Sequence, residues 1–145
     1  MMSSRPNATD GNQSPSFHSR IFTPNAKAVS NDTFMAGTLV IGENTLEAVR
    51  SVMTCEPDYL VMGMSSETFW GGVEGNAQFI ERVMTQSGLG ISTGASACRA
   101  ALERHEVRRI AVLSPYPPIA DRHVTRYFEE AGFEVLTAGS GTEGL

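Results

Sequence analysis

Two short runs of this 145-residue chain carry side chains suited to holding a negative charge. The first is Gly63-Met64-Ser65-Ser66-Glu67-Thr68-Phe69-Trp70-Gly71-Gly72, where glycine permits close backbone approach and small hydroxyls stand beside two aromatic rings. Such a loop can cradle a carboxylate. Equally, Ser65 and Ser66 can cap a turn while Phe69 and Trp70 pack on the core, and the residues alone leave both readings open. The second run, Ser114-Pro115-Tyr116-Pro117-Pro118, fixes a tyrosine between prolines, so its backbone is stiff and its phenol is aimed by the turn. That arrangement points to binding, with an exposed aromatic at the sheet edge as the alternative. A third run, Ser92-Thr93-Gly94-Ala95-Ser96, reads chiefly as a helix cap.

Other reactive residues are sparse. His18, His105 and His123 stand far apart, His105 and His123 read as solvated surface on helix faces, and no Ser-His-Asp set is visible. Cys98 falls one turn into a helix, where a thiol pKa can drop, but Ala97-Cys98-Arg99-Ala100 reads as a packed thiol. Cys55 reads as structural, and both cysteines as reduced and half-buried. Dinucleotide, nucleotide-phosphate and zinc motifs do not occur, so the residues give no support to a dinucleotide, nucleotide or zinc reading.

The elements that must position these runs follow from periodicity. Met1 to Ser16 is polar and Gly/Pro-rich, so residues 1–17 are expected to be a disordered tail. The α/β domain is expected over 18–145, opening on a short β-prone run, His18 to Phe22. Polar residues Glu43-Asn44-Thr45 lead into Leu46, Val49, Val52 and Met53, an amphipathic helix ending near Cys55. Tyr59 to Met62 is a continuous apolar run, as for a strand covered on both faces. A helix over 76–86 places Ala77, Ile80, Val83 and Met84 on one side. Leu89 to Thr93, Ala95 to His105 and Arg109 to Leu113 continue as strand, helix and a buried strand. Pro117-Pro118 open a last helix with Ile119, Val124, Tyr127, Phe128 and Ala131 buried, before the strand Phe133 to Leu136. This alternation predicts one open parallel sheet with helices on both faces. In such sheets ligands bind beyond the carboxyl ends of the strands, where both candidate runs fall.

Composition narrows the partners. With 41% hydrophobic and 19% charged residues the chain has globular composition, and no apolar run reaches bilayer length, so no membrane partner is expected. A net charge of -5 without a basic stripe argues against nucleic acid. The start lacks a secretory pattern, which makes the cytoplasm the expected compartment.

Tyr59 to Ser66, Gly88 to Ala97 and Val107 to Tyr116 together resemble the maleate cis-trans isomerase and arylmalonate decarboxylase family of the aspartate/glutamate racemase superfamily. The likeness covers roughly residues 18 to 144. It implies a cofactor-independent isomerase or decarboxylase for a small carboxylate such as maleate or an arylmalonate. By position, it implies that Gly63, Met64, Ser65, Ser66 and Tyr116 bind substrate, with Ser65 and Tyr116 catalytic, through donors that stabilise an enediolate. Where the racemases and isomerases carry a cysteine, this chain has Gly63 or Met64; the decarboxylases share that lack. The resemblance also implies a fold of two similar halves, of which these 145 residues would correspond to the first. The expectation is therefore a truncated, weakly active chain, unless two copies pair as a homodimer. A non-catalytic carboxylate-binding or subunit-interaction module is the alternative. A response-regulator-like fold would need an acidic strand end and a matching lysine, neither of which is found.

Overall fold

A computed structural model of the chain describes residues 31–140; the expected tail and the His18 to Phe22 run lie outside them. The order is α1 (Asn31–Val52), a 3-10 turn (Met53–Cys55), β1 (Leu60–Val61), a second 3-10 turn (Ser66–Phe69) and α2 (Gly72–Ser87). There follow β2 (Ile91–Ser92), α3 (Gly94–Arg104), β3 (Arg109–Ser114), α4 (Pro118–Glu130) and β4 (Glu134–Ser140). The α/β alternation holds from β1 onward. Pairing is parallel, as expected, with β1 beside β2 (Leu60 opposite Ile91) and β3 beside β4 (Arg109 opposite Glu134). Among the described residues the hydrogen bonds form these two two-stranded ladders rather than one continuous sheet.

Three local expectations change. α1 spans Asn31–Val52 instead of starting near Glu43, and within it Thr38 and Thr45 turn their hydroxyls back onto the carbonyls of Phe34 (3.0 Å) and Ile41 (2.8 Å). With their hydroxyls satisfied inside the helix, both threonines can be buried, and the polar Glu43-Asn44-Thr45 cluster lies mid-helix. In α2 the buried face is Gly72, Asn76, Phe79 and Val83; Ala77 and Met84 face outward. Thirdly, β1 is buried on one face only. Leu60 and Met62 are inside, while Val61 is 78% exposed and Tyr59 lies across Gly90, where a β-carbon would meet its ring.

Two clusters form the core. Val49, Leu60, Met62, Phe79, Val83 and Ile91 join α1, β1, α2 and β2. Phe69, Ala95, Val124, Tyr127, Phe128 and Phe133 join the second 3-10 turn to α3 and α4. Each buried Leu, Ile, Val or Phe contributes about 1.5–3 kcal/mol of transfer free energy. Phe69 meets Tyr127 edge-on at 5.4 Å between ring centroids, so the loop after β1 is bolted to α4. No described helix is long and apolar enough to cross a membrane.

Candidate active site at the strand ends

The loop after β1 is shaped by its backbone. Thr68 N–H donates to Ser65 O (3.0 Å) and Trp70 N–H to Glu67 O (3.1 Å), which closes the 3-10 turn. Gly71 and Gly72 then take φ of 77° and 71°, conformations that favour glycine, and turn the chain into α2. The first turn of α2 is anchored from α4: Val73 N–H donates to Glu130 Oε2 (2.8 Å). Arg126 first, and this N–H second, hold the Glu130 carboxyl below its ordinary pKa.

Behind the loop lies a buried polar network. Asn76 Nδ2 donates to Thr68 O (2.9 Å) and to Thr93 Oγ1 (3.0 Å). The Thr68 hydroxyl donates to Ser65 O (2.7 Å) and accepts from Ala95 N–H (3.2 Å). Thr93 caps α3, accepting from Ser96 N–H (3.1 Å), while Ser96 Oγ accepts from Thr93 N–H (3.0 Å) in a reciprocal box. The third run therefore acts as a cap, as its sequence indicates. Gly94 brings α3 against the loop, since a β-carbon there would stand 2.9 Å from Ser65 Cβ.

The end of β3 is held separately. Ser114 Oγ donates to Asp121 Oδ1 in the first turn of α4 and accepts from Tyr116 N–H (3.1 Å). Pro118 stands at the start of α4, where a missing N–H costs nothing. With its backbone fixed, Tyr116 reaches across to the loop after β1, and its hydroxyl shares a hydrogen bond with Ser65 Oγ. Two strand ends 51 residues apart in sequence thus meet through their hydroxyls.

The other candidates fall around this contact. Gly63 is exposed, and a β-carbon on it would meet nothing within 4 Å. The Met64 side chain packs on the first core cluster, which leaves its backbone as the group available to a ligand. Ser66 Oγ donates to Glu67 Oε1 (3.0 Å). Phe69 belongs to the core, whereas Trp70 stacks on His123 with ring centroids 3.9 Å apart. His123 is therefore not solvated surface. Its Nδ1 is buried without a partner among the described residues, and burial first, then Arg126 and Arg122, lower its pKa. His105 is exposed, as expected. The cysteines are corrected too: Cys55 and Cys98 are both exposed free thiols, because their helix positions face away from the clusters.

Glu67, Asn76 and Asp121 are buried polar residues that periodicity did not single out. An acid in the first turn of a helix opened by prolines was the available signal for Asp121; Glu67 and Asn76 carried none. A groove of about 310 Å³ runs between α2 and α3 and is floored by Tyr127. It shares Asn76 and Ser96 with the network but includes none of Gly63 to Ser66 or Tyr116.

A parallel α/β unit with paired hydroxyls at two strand ends is the class that fold and geometry define. The sequence profile of the arylmalonate decarboxylase family matches residues 34–141, and the chain belongs to that family. No curated protein sequence gives a significant match. Among solved structures, Nocardia farcinica maleate cis-trans isomerase bound to TRIS superposes with a TM-score of 0.71 at 20% identity, over 88% of this chain and 52% of that one. The same enzyme with a covalently bound succinylcysteine intermediate gives 0.69 at 19%, over 84% and 48%. Pseudomonas putida maleate isomerase with maleate gives 0.67 at 16%, over 72% and 44%. At these identities the likeness is one of fold. The chain spans about half the length of the structures it matches.

Proposed function

We propose that the ends of β1 and β3 bind the carboxylate of a small mono- or dicarboxylate such as maleate or an arylmalonate. In this reading Ser65 and Tyr116 stabilise the negative charge that grows when a carboxylate becomes an enediolate, as in a cofactor-independent decarboxylase or isomerase. The observation that carries it is the Ser65–Tyr116 hydroxyl pair, in which one hydroxyl donates to the other and the second keeps its proton for a ligand, both positions being set in advance by separate anchors, the Thr68–Asn76 network and the Ser114–Asp121 bond. Donors fixed before charge develops need no reorganisation as it appears. Backbone N–H groups near Gly63, Met64 and Ser66 complete the cradle. The chain would work in the cytoplasm, a compartment that suits two unpaired cysteines.

A second reading, a carboxylate-binding module without turnover, is favoured by Gly63, which puts no thiol at the first strand end. Cys55 precedes β1, at the opposite end of the strand from the loop, and Cys98 is exposed on α3. Titration with maleate and phenylmalonate, with product followed by NMR, separates the two. Tyr116→Phe or Ser65→Ala should each weaken binding by about 10–100-fold, the worth of a hydrogen bond to a charged group. Binding with product supports the enzyme, binding without product the module, and no saturable binding refutes both. Turnover that survives replacement of Cys55 and Cys98 by serine excludes a thiol of this chain from the chemistry. Pairing of two copies across the strand ends would enlarge the site, and sedimentation with and without maleate tests it.

A further inference from the structure

Glu67 follows Ser65 and Ser66 directly and is only 7% exposed. Its Oε1 lies 3.0 Å from Ser66 Oγ, and its Oε2 is buried without a hydrogen-bond partner among the described residues. An ionised carboxylate left half-unpartnered in a dry site is far costlier than a neutral acid, whose second oxygen is a weak acceptor. Burial raises the Glu67 pKa, against the smaller pull of its backbone and Ser66 hydrogen bonds. The turn that carries it touches all four helices. Their titratable groups include Glu47 of α1 and Glu74 of α2, both exposed, Arg99 of α3, tied to Glu103, and Asp121, His123 and Tyr127 of α4, with Arg126 tied to Glu130. None of them is ion-paired with Glu67.

We propose that Glu67 is a positioning residue that acts in its acid form, in which the hydrogen bond that Ser66 Oγ donates to Oε1 is reversed: a proton held on Oε1 is donated to Ser66 Oγ, and Ser66 turns its own proton toward the bound carboxylate. The ionised form does the reverse. It accepts the hydrogen bond of Ser66, so that no Ser66 donor is left for the ligand, and sets a second negative charge beside it. Ligand binding and protonation of Glu67 are then linked, one proton entering from solvent for each carboxylate bound to a chain whose Glu67 was ionised. This rests on the strand-end carboxylate site proposed above.

The probe is fumarate, which stays doubly ionised from about pH 5 to pH 8, titrated calorimetrically into the full chain in buffers of differing ionisation enthalpy. For the natural chain, affinity should fall as pH rises through the Glu67 midpoint, toward a tenfold loss per pH unit, with uptake of up to one proton. Glu67→Gln, whose amide donates to Ser66 at every pH, should bind with a flat profile and no Glu67-linked uptake. Glu67→Ala, which lacks both the donor and the charge, should give an equally flat profile and bind more weakly than Glu67→Gln at every pH. A Glu67→Gln variant that keeps the natural slope and uptake overturns this role while leaving the carboxylate site standing. Absence of saturable fumarate binding in the natural chain at every pH overturns both. Independently, a Glu67 carboxyl carbon that titrates by NMR at or below the ordinary glutamate midpoint in the ligand-free chain overturns the proposal.

Discussion

Replacing Asn76 by alanine should loosen the site without touching it. The Asn76 side chain is buried and donates two hydrogen bonds, to Thr68 O and Thr93 Oγ1. Thr93 Oγ1 keeps its partners in Ser96, so its loss is limited to about 0.5–1.5 kcal/mol for one bond. Thr68 O is left buried without this donor, which costs about 1–3 kcal/mol, and the vacated volume adds to it. The sum is about 3 kcal/mol, a large part of a typical domain stability of about 5–15 kcal/mol. With a urea m-value of about 1.5 kcal/mol/M, the unfolding midpoint should fall by roughly 2 M. An internal control stands on the same helix: Gln78 donates only to exposed Glu74 (2.8 Å), and Gln78→Ala should change stability by less than about 0.5 kcal/mol. Because Thr68 also holds Ser65 O, Asn76→Ala should weaken carboxylate binding too. A midpoint within about 0.5 M of the natural chain would refute the claim that this network holds the loop.

Gly75→Ala should destabilise by about 1–3 kcal/mol in urea unfolding despite alanine's better helix propensity, because its β-carbon would stand 2.1 Å from the Trp70 carbonyl oxygen. Gly63→Ala should leave stability within about 0.5 kcal/mol, since that β-carbon meets only open space, while any loss of carboxylate affinity would mark Gly63 as ligand-facing. His123→Phe keeps a ring on Trp70 but removes a titration. Since burial lowers the His123 pKa in the folded chain, the unfolded chain binds more protons, and His123 withdraws stability as pH falls from about 6.5 through its lowered folded value. Urea midpoints of the natural chain should therefore drop more between pH 7 and pH 5 than those of His123→Phe; equal drops would refute it.

What was legible in the residues, and what was not, divides along physical lines. The place of β3, α3 and α4 was readable because one short-range rule governs each: the apolar run Ile110 to Leu113 within β3, hydroxyls at the start of α3, and prolines then spaced apolar residues for α4; the burial expected for β3 fails, since its residues alternate and Leu113 is 77% exposed. The extent of α1 was hidden because its buried face uses Thr38 and Thr45, whose hydroxyls are satisfied within the helix. The buried face of α2 was misjudged for a related reason: Asn76 is inside only because Thr68 O and Thr93 Oγ1, from other elements, meet its amide. Ser65 and Tyr116 could be chosen singly from turn chemistry, but their meeting depends on Gly94, Ser114 and Asp121, a condition no local pattern contains. His123 failed as a surface residue because its partner, Trp70, comes from a different loop.

Stability and site are consequently hard to separate in this chain. The carbonyl of Ser65 is held by Thr68, Thr68 O by Asn76, and Asn76 also by the residue that caps α3. A substitution at any of these should alter both unfolding and binding, whereas one confined to the hydroxyl of Tyr116 leaves its backbone anchor on Ser114 intact. Tyr116→Phe should thus lose binding with little change in the unfolding midpoint, and Asn76→Ala should lose both. If the Ser65–Tyr116 pair acts as a unit, Ser65→Ala in the Tyr116→Phe background should add much less than it does alone, by a coupling of about 0.5–3 kcal/mol. Full additivity would mean that the two strand ends bind independently, and that the hydroxyl contact is an incidental meeting rather than a shared cradle.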